Sequence, residues 1–230
     1  MRYIFIGGAH KSGSTLLARI LNRSTEISAF ENTGAPMDEG QWLQNILMPD
    51  TNLGELLFGL SDEAHLTESD LNINEIASGL LRSWNPYWDL ECKFLLEKSP
   101  YNVLRTRLLQ SMFPDSIFLI TIRDPRTSYM AAKKTMPHIS IETYFDNWFS
   151  IYSKFKEDSK YLNTYALVYY ESFIQYPKKI LLDLEYLLDV EVDTQPGTCV
   201  SRSADRDYME AWNRQNIKKC PILNLYDYCC

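Results

Sequence analysis

Apolar and polar positions alternate along the chain in blocks of two kinds. Short, nearly continuous apolar runs predict buried strands, since strands covered on both faces need no polar side. These runs are residues 2–6, 94–97, 117–122 and 165–169. Between them, apolar residues recur at helical spacing. Strands that alternate with helices predict an α/β fold with a central parallel sheet flanked by helices.

Helical periodicity is clearest where one apolar face can be followed over several turns. In the segment 70–84, Ile73, Ile76, Leu80 and Trp84 recur on one face, and Pro86 ends the pattern. The other predicted helices are 16–21, 42–48, 103–113, a helix after Arg123, 141–161 and 177–188. Repeats and linkers are not evident, so we predict one domain over 1–230. Residues 192–230 are expected to be irregular, with a helix near 208–214.

A glycine-containing loop joins the first strand to the first helix. It has glycine at Gly8 and Gly13 and a hydroxyl at Thr15, as in the phosphate loop G-x-x-x-x-G-K-[ST]. Ser14, however, replaces the lysine of that motif. The backbone N–H groups of such a loop still bind a phosphate. The strand 117–122 runs into Arg123 and not into a Mg²⁺-binding aspartate. We therefore predict a nucleotide with separated phosphates, bound without a metal.

Charge and composition narrow the class of partner. The 230 residues carry a net charge of −7, which disfavours broad binding to nucleic acid or anionic membranes. An anion must then be held by a local basic pocket. The apolar runs are shorter than the ~18 residues of a membrane span, and the first residues predict a strand and not a signal peptide. Five cysteines without metal-like spacing favour reduced thiols and a cytoplasmic location.

Four segments together resemble one family. The loop "GGAHKSGSTLL" resembles the 5′-phosphosulfate loop of sulfotransferases that depend on 3′-phosphoadenosine 5′-phosphosulfate (PAPS), and "IFLITIRDPRTSYMA" resembles their 3′-phosphate motif. "LLEKSPYNVLRTRLLQSMFPDSIF" and "LVYYESFIQYPKKIL" are similar to further segments of the family, in the same order. The resemblance implies a three-layer P-loop-like fold and a PAPS-dependent O-sulfotransferase. It is closer to carbohydrate-type, tyrosylprotein-type and bacterial members than to cytosolic aryl sulfotransferases.

The resemblance also implies roles for single residues. Lys11 would neutralise charge on the leaving phosphate, and Arg123 would hold the 3′-phosphate. The family usually has a serine where this chain has Ala131, and Ser128, one helical turn earlier, is the predicted substitute. The donor-binding residues implied are His10, Lys11, Ser12, Gly13, Ser14, Thr15, Arg123, Ser128, Arg202 and Tyr208. The segment 201–215, which includes Arg206 and Trp212, either closes over the donor or is a solvated tail.

The proton acceptor is expected among carboxylates that follow the first helix, as the carbohydrate and tyrosylprotein enzymes imply. Glu39 is favoured over Glu31 and Asp38, and Lys98 is expected to add positive charge near the sulfuryl group. Alternatively, Asp38 and Glu39 only cap a helix. His10 is the next candidate for the base, although the sequence shows no partner to orient it.

Two other functions and the acceptor stay open at this point. The chain could be a degenerate P-loop kinase or nucleotide hydrolase, or a non-catalytic nucleotide-binding protein. The acceptor could be a small molecule, a sugar or a tyrosine-type hydroxyl, with residues 45–89 as an acceptor-side helical insertion. A homodimer is compatible with the sequence. Arg105 and Arg107 are predicted on a solvated helix face, although Arg105, which follows Pro100 and Tyr101, could reach the donor. His65 and His138 are predicted on the surface.

Overall fold

A parallel sheet forms the centre of the computed structural model, which describes residues 2–69, 72–193 and 203–214. Its strands within those ranges are β1 (Arg2–Gly8), β2 (Ile27–Ala29), β3 (Phe94–Lys98), β4 (Ile117–Ile122) and β5 (Tyr165–Tyr169). They are ordered β2-β3-β1-β4-β5, and every neighbouring pair is parallel. The predicted α/β architecture with a central parallel sheet is confirmed. The sequence analysis missed β2, because three residues are too few to show a pattern.

Helices cover both faces of this sheet. The α-helices are α1 (Ser14–Leu21), α2 (Ile73–Trp84), α3 (Thr106–Met112), α4 (Pro125–Ala132), α5 (Ile141–Asp158), α6 (Tyr170–Gln175), α7 (Pro177–Leu188) and α8 (Ser203–Arg214). Short 3₁₀ helices are Pro36–Asp38, Gly40–Trp42, Asp50–Leu53, Glu55–Leu60, Asp62–Ala64, Asn85–Tyr87, Pro100–Leu104 and Ser159–Tyr161. Among the described helices, none is long and apolar enough to cross a membrane.

Side chains that alternate along β1 build two separate cores. Ile4 and Ile6 pack with α1 and α7 on one face of the sheet. Phe5 points to the other face, into a core that α2, α3 and α5 complete. A third, smaller cluster joins α4, α5 and α8 around Trp212. The sheet is thus buried on both sides, which explains why its strands are apolar almost throughout.

The predicted helix at 42–48 is wrong. The structure has a 3₁₀ turn at Gly40–Trp42, and irregular backbone follows it. The Gln44 side chain explains this, because its Oε1 accepts from the N–H groups of Ile46 and Leu47, each at 2.7 Å. Its Nε2 donates to the carbonyl of Leu47 at 2.8 Å. These local bonds replace those that a helix would make.

The predicted helix at 103–113 is divided in two. A 3₁₀ turn at Pro100–Leu104 precedes α3, and Arg105 between them has non-helical backbone angles. The carbonyl of Leu104 accepts from the N–H of Leu66 at 3.1 Å, so it does not serve a continuous helix. This break turns the Arg105 side chain into the protein interior.

Candidate active site

The loop between β1 and α1 has a backbone that only particular residues allow. Gly8 and Gly13 have φ values of 152° and 97°, and Lys11 has a φ of 68°. A Cβ atom on Gly13 would lie 2.5 Å from the Tyr170 ring, so glycine is required there for space as well as for conformation. The loop leads directly into α1, whose N-terminal N–H groups favour an anion.

Side chains of this loop fix it against the neighbouring strand. Ser12 Oγ lies 2.6 Å from Thr121 Oγ1 on β4, and both groups are buried. Ser14 is also buried, Thr15 is half-buried, and Lys11 is exposed. The predicted phosphate-binding residues therefore lie together at the carboxyl edge of the sheet, with Lys11 free to reach a ligand.

Arg123 connects the two predicted anion-binding motifs directly. It follows β4 and is only 7% exposed, and its Nη1 donates to the carbonyl of Lys11 at 2.8 Å. The guanidinium lies 4.4 Å from the centroid of the Tyr170 ring. Its Nη2 pairs with the carboxylate of Asp205, while its buried Nε has no hydrogen-bond partner among the described residues. A preoriented guanidinium with one unused donor thus lies beside the loop.

Helix α8 covers the Arg123 side of the site. Trp212 anchors it by stacking on Phe145, with ring centroids 5.8 Å apart. Tyr208 lies with its ring centroid 5.7 Å from the Arg123 guanidinium. Arg206 is exposed, and Arg202 lies outside the described residues. The expected aromatic residue Tyr208 thus lies near Arg123, and an acidic residue that the sequence does not predict there, Asp205, faces Arg123 from the same helix.

Ser128, the predicted substitute for the family's 3′-phosphate serine, is buried on α4. Its Oγ donates to the carbonyl of Asp124 at 2.9 Å, a bond back to the preceding helical turn. Serving as a phosphate ligand would require the hydroxyl to exchange this bond.

Lys98 and Glu39 form a buried ion pair at the end of β3. Lys98 is 3% exposed, and its Nζ donates to Glu39 Oε1 at 2.8 Å and to the Met37 carbonyl at 3.1 Å. The carboxylate of Glu39 makes no helix-capping bond. Glu39 is therefore held by a cation and not by a helix terminus, which argues against the capping interpretation.

A chain of polar contacts runs from this ion pair to the phosphate loop. Gln41 Nε2 donates to Glu39 Oε2 at 2.6 Å and to Asp50 Oδ2 at 3.0 Å. The same Asp50 oxygen lies 2.8 Å from His10 Nε2. The partner that His10 lacked in the sequence is thus Asp50, forty residues further along the chain. Two candidate bases, Glu39 and His10, lie at opposite ends of one network.

The other two candidate carboxylates have different surroundings. Asp38 Oδ1 accepts from the N–H and hydroxyl groups of Thr33, each at 2.8 Å. Burial acts to raise the pKa of Asp38, but these hydrogen bonds and the charge of Lys98 together lower it. Glu31 is exposed and accepts a bond from Asn22 Nδ2 at 3.3 Å.

Glu97, which the sequence analysis did not identify, lies at the centre of this region. It is buried at the end of β3 and accepts from the Gly40 N–H at 3.0 Å, from Ser99 Oγ at 2.6 Å and from Asn102 Nδ2. Burial raises the pKa of Glu97 to about 7. Because Gly40 follows Glu39, Glu97 holds the backbone that positions the candidate base. An acidic residue inside an apolar strand was the available signal.

The predicted solvated face for Arg105 is wrong. Arg105 is 1% exposed and lies 3.8 Å from the Tyr101 ring centroid, and its Nη2 donates to the Met48 carbonyl at 2.8 Å. Arg107 pairs with Glu68 nearer the surface. His65 is half-buried against Asp158, and His138 is exposed.

A cleft of about 560 Å³ opens next to the ion pair, between α1 and the segment that follows β2. Thr15 and Lys98 both line it, together with Arg19 of α1, Arg23 just beyond α1, Glu31 and Asp38. Its lining includes none of the residues 45–89, the predicted acceptor-side insertion. Part of that insertion instead supports the loop, since Asp50 and the Phe58 ring contact His10.

Comparison with known proteins agrees with this architecture. Residues 3–194 match the model of a family described as the sulfotransferase family. A sulfotransferase from Alicyclobacillus acidocaldarius is similar in structure, with a TM-score of 0.57, 15% identity and coverage of 93% of this chain and 92% of that chain. No curated protein sequence matches the chain.

Two further solved structures show the same fold. The sulfotransferase domain of an olefin synthase from Synechococcus has a TM-score of 0.55 and 16% identity, over 95% of this chain and 88% of that chain. A sulfotransferase from Mycobacterium avium has a TM-score of 0.56 and 8% identity, over 95% of this chain and 69% of that chain. At these identities the likeness supports the P-loop-like fold, which the sequence resemblance also implied.

Proposed function

This chain belongs to the sulfotransferase family, and on that premise we propose that it transfers a sulfuryl group from PAPS to an acceptor hydroxyl and releases 3′-phosphoadenosine 5′-phosphate (PAP). The observation that carries the proposal is the bond from Arg123 to the Lys11 carbonyl, which couples a guanidinium to the phosphate loop. PAPS carries anions at its 5′ and 3′ ends. A loop and a guanidinium at one sheet edge fit two such anions.

The residues at this edge of the sheet fit both anions of the donor. The N–H groups of Ser12 to Thr15 and the hydroxyls of that stretch would bind the 5′-phosphate. Arg123, with an unused Nε, would bind the 3′-phosphate after its contact with Asp205 is exchanged. Ser14 in place of the phosphate-loop lysine disfavours the kinase or nucleotide hydrolase alternative.

The donor supplies a sulfuryl group, whose sulfur forms a bond to the acceptor oxygen while its bond to the bridging phosphate oxygen breaks. Cationic side chains of the protein are the groups that can stabilise the charge that develops in this step. Lys11 is exposed at the loop and can stabilise the negative charge that remains on the phosphate. Lys98 is buried beside Glu39 and keeps a second positive charge at the same edge.

Glu39 is the proposed acceptor of the hydroxyl proton. Its Oε1 lies 2.8 Å from Lys98 Nζ, and a carboxylate positioned in this way is a group that can take a proton. Gln41 fixes the second carboxylate oxygen, so the group is oriented from two sides. His10 remains the alternative, oriented by Asp50.

Calorimetry with PAP and with ATP plus Mg²⁺ tests the donor assignment. We expect PAP to bind without a divalent ion and more tightly than ATP. Binding that needs Mg²⁺ or favours ATP would contradict the proposal. Transfer of labelled sulfate from PAPS to any hydroxyl acceptor then separates the enzyme from a non-catalytic nucleotide-binding protein of the same fold.

A further inference from the structure

The cleft beside α1 begins where the proposed transfer would occur. Thr15 belongs to the phosphate loop and Lys98 to the ion pair with Glu39, and both line this cleft. We infer that the cleft holds the acceptor and that the acceptor is a polyhydroxylated, saccharide-type molecule. This inference rests on the proposed function and names the substrate class of the same site.

One wall of the cleft is a polar face of α1. Thr15 and Arg19 are four residues apart and lie on the same side of the helix, and Arg23, just beyond the end of α1, also lines the cleft. Arg19 is exposed and has neither a hydrogen bond nor an ion pair within the described part of the chain. Arg23 lies 3.7 Å from Asp193. This wall therefore offers two guanidinium groups as hydrogen-bond donors, and Arg23 lies farther from Thr15 along the chain than Arg19 does.

The segment after β2 contributes mainly hydrogen-bond acceptors to the cleft. Glu31, Asn32 and Asp38 line it, and Thr33 fixes the Asp38 carboxylate in place. Donors and acceptors in one cleft suit a molecule that carries several hydroxyl groups, because each hydroxyl both donates and accepts. Positive and negative side chains are both present, which suits a neutral ligand more than a strongly charged one.

The cleft presents more polar than apolar surface. Phe30 and Leu96 line it, but both side chains are buried and present little area to a ligand. Met37 is 56% exposed, and it is flexible and unbranched. A phenol or a steroid would need an extended apolar slot to bury its rings. The cleft has the volume of an ordinary ligand site but the lining of a sugar site.

Acceptor competition with labelled PAPS tests the inference. The panel contains cellobiose, maltose, lactose and chitobiose, together with p-nitrophenol, a 3-hydroxysteroid and a tyrosine-containing peptide. We expect sulfate transfer to at least one disaccharide, with a kcat/KM above that of every aromatic, steroid or peptide acceptor. Preferred transfer to any of the latter three classes would overturn the inference and leave PAPS-dependent transfer intact.

The variant Arg19→Ala sharpens the test. It should raise the KM for the disaccharide by about 10-fold, the effect of one lost hydrogen bond to a charged group, with kcat and the Kd for PAP unchanged. Arg82→Ala, an exposed arginine on α2 outside the cleft, is the matched control and should change neither constant. An Arg19 variant with an unchanged KM overturns the inference.

Direct binding measurements separate failure of the saccharide inference from failure of the proposed function. If PAP binds but saturation-transfer NMR detects none of the disaccharides in the PAP complex, the saccharide inference fails alone. If PAP does not bind and no acceptor is sulfated, the proposed function fails with it.

Discussion

The two halves of the sheet edge are built in different ways. On the β1–β3 side, Lys11 is exposed, and Lys98, which is paired with Glu39, lines a cleft that a ligand can enter. On the β4 side, Arg123 is covered by α8 and already paired with Asp205. The first half suits chemistry on a bound group. The second suits recognition of an anion that must replace a carboxylate.

This difference predicts that substitutions in the two halves affect different constants. Residues of the β1–β3 half should alter kcat, and residues of the β4 half should alter the affinity for PAP.

Glu39→Gln should lower kcat by roughly 10²–10⁴, the usual contribution of a positioned general base. The amide keeps the shape of the side chain but cannot accept the proton. The affinity for PAP should stay nearly constant, as calorimetry would show. Glu31→Gln and Asp38→Asn are matched controls on the same segment. If one control variant loses turnover while Glu39→Gln keeps it, the residue changed in that control is the base. If all three variants stay active, His10 becomes the candidate base.

Arg123→Ala should weaken PAP by about 10- to 150-fold, which corresponds to the 1.5–3 kcal/mol of a charge-assisted hydrogen bond. Adenosine 5′-phosphosulfate lacks the 3′-phosphate, so its affinity should fall far less. Titration of both ligands by calorimetry measures the difference. Equal losses would mean that Arg123 supports the loop through its bond to the Lys11 carbonyl and does not bind the 3′-phosphate.

Asp205→Asn should strengthen PAP binding by about 2- to 10-fold, because a neutral amide competes less for the guanidinium, an effect near 1 kcal/mol. The neighbouring exposed residue Asp207, changed to Asn, is the control for the loss of one negative charge on α8. Weaker PAP binding in Asp205→Asn alone would show instead that the carboxylate holds Arg123 in its binding position.

Local patterns explain what the sequence could predict. The sequence predicts both ends of the helix 177–188, and the structure has this helix at Pro177–Leu188. Proline begins it, and Asp189, in a left-handed conformation with a φ of 52°, ends it. Gly8 and Gly13 likewise predict the tight loop between β1 and α1, where both have positive φ values. Each of these features depends on residues that are neighbours in sequence.

Long-range contacts explain what the sequence could not predict. His10 meets Asp50 over 40 residues, Gly40 meets Glu97 over 57, and Arg123 meets Asp205 over 82. Only the packed fold brings these groups together, so no spacing rule reveals them. Arg105 was misassigned for the same reason, since its burial follows from the break between Leu104 and Thr106.

Glu97 holds the Gly40 backbone next to the candidate base Glu39, and its expected effect is on stability. Burial raises its pKa from 4.5 to about 7 in the folded protein. Between these two pH values the folded state binds more protons than the unfolded state. The free energy of unfolding must therefore fall as pH rises through this window, by up to about 1.4 kcal/mol per pH unit.

Glu97→Gln removes this titration, so the stability of the variant relative to the wild type should rise as pH increases from 4.5 to 7. Urea unfolding at several pH values measures the difference. Asp38→Asn is a control with the opposite dependence of stability on pH, because the pKa of Asp38 is lowered in the folded protein. The contribution of Asp38 to stability is present above its unfolded pKa and lost as pH falls through the folded value. Wild-type and Glu97→Gln curves that run parallel from pH 4.5 to 7 would mean that the Glu97 carboxyl does not titrate in this window. The hydrogen bonds from Gly40, Ser99 and Asn102 would then outweigh its burial.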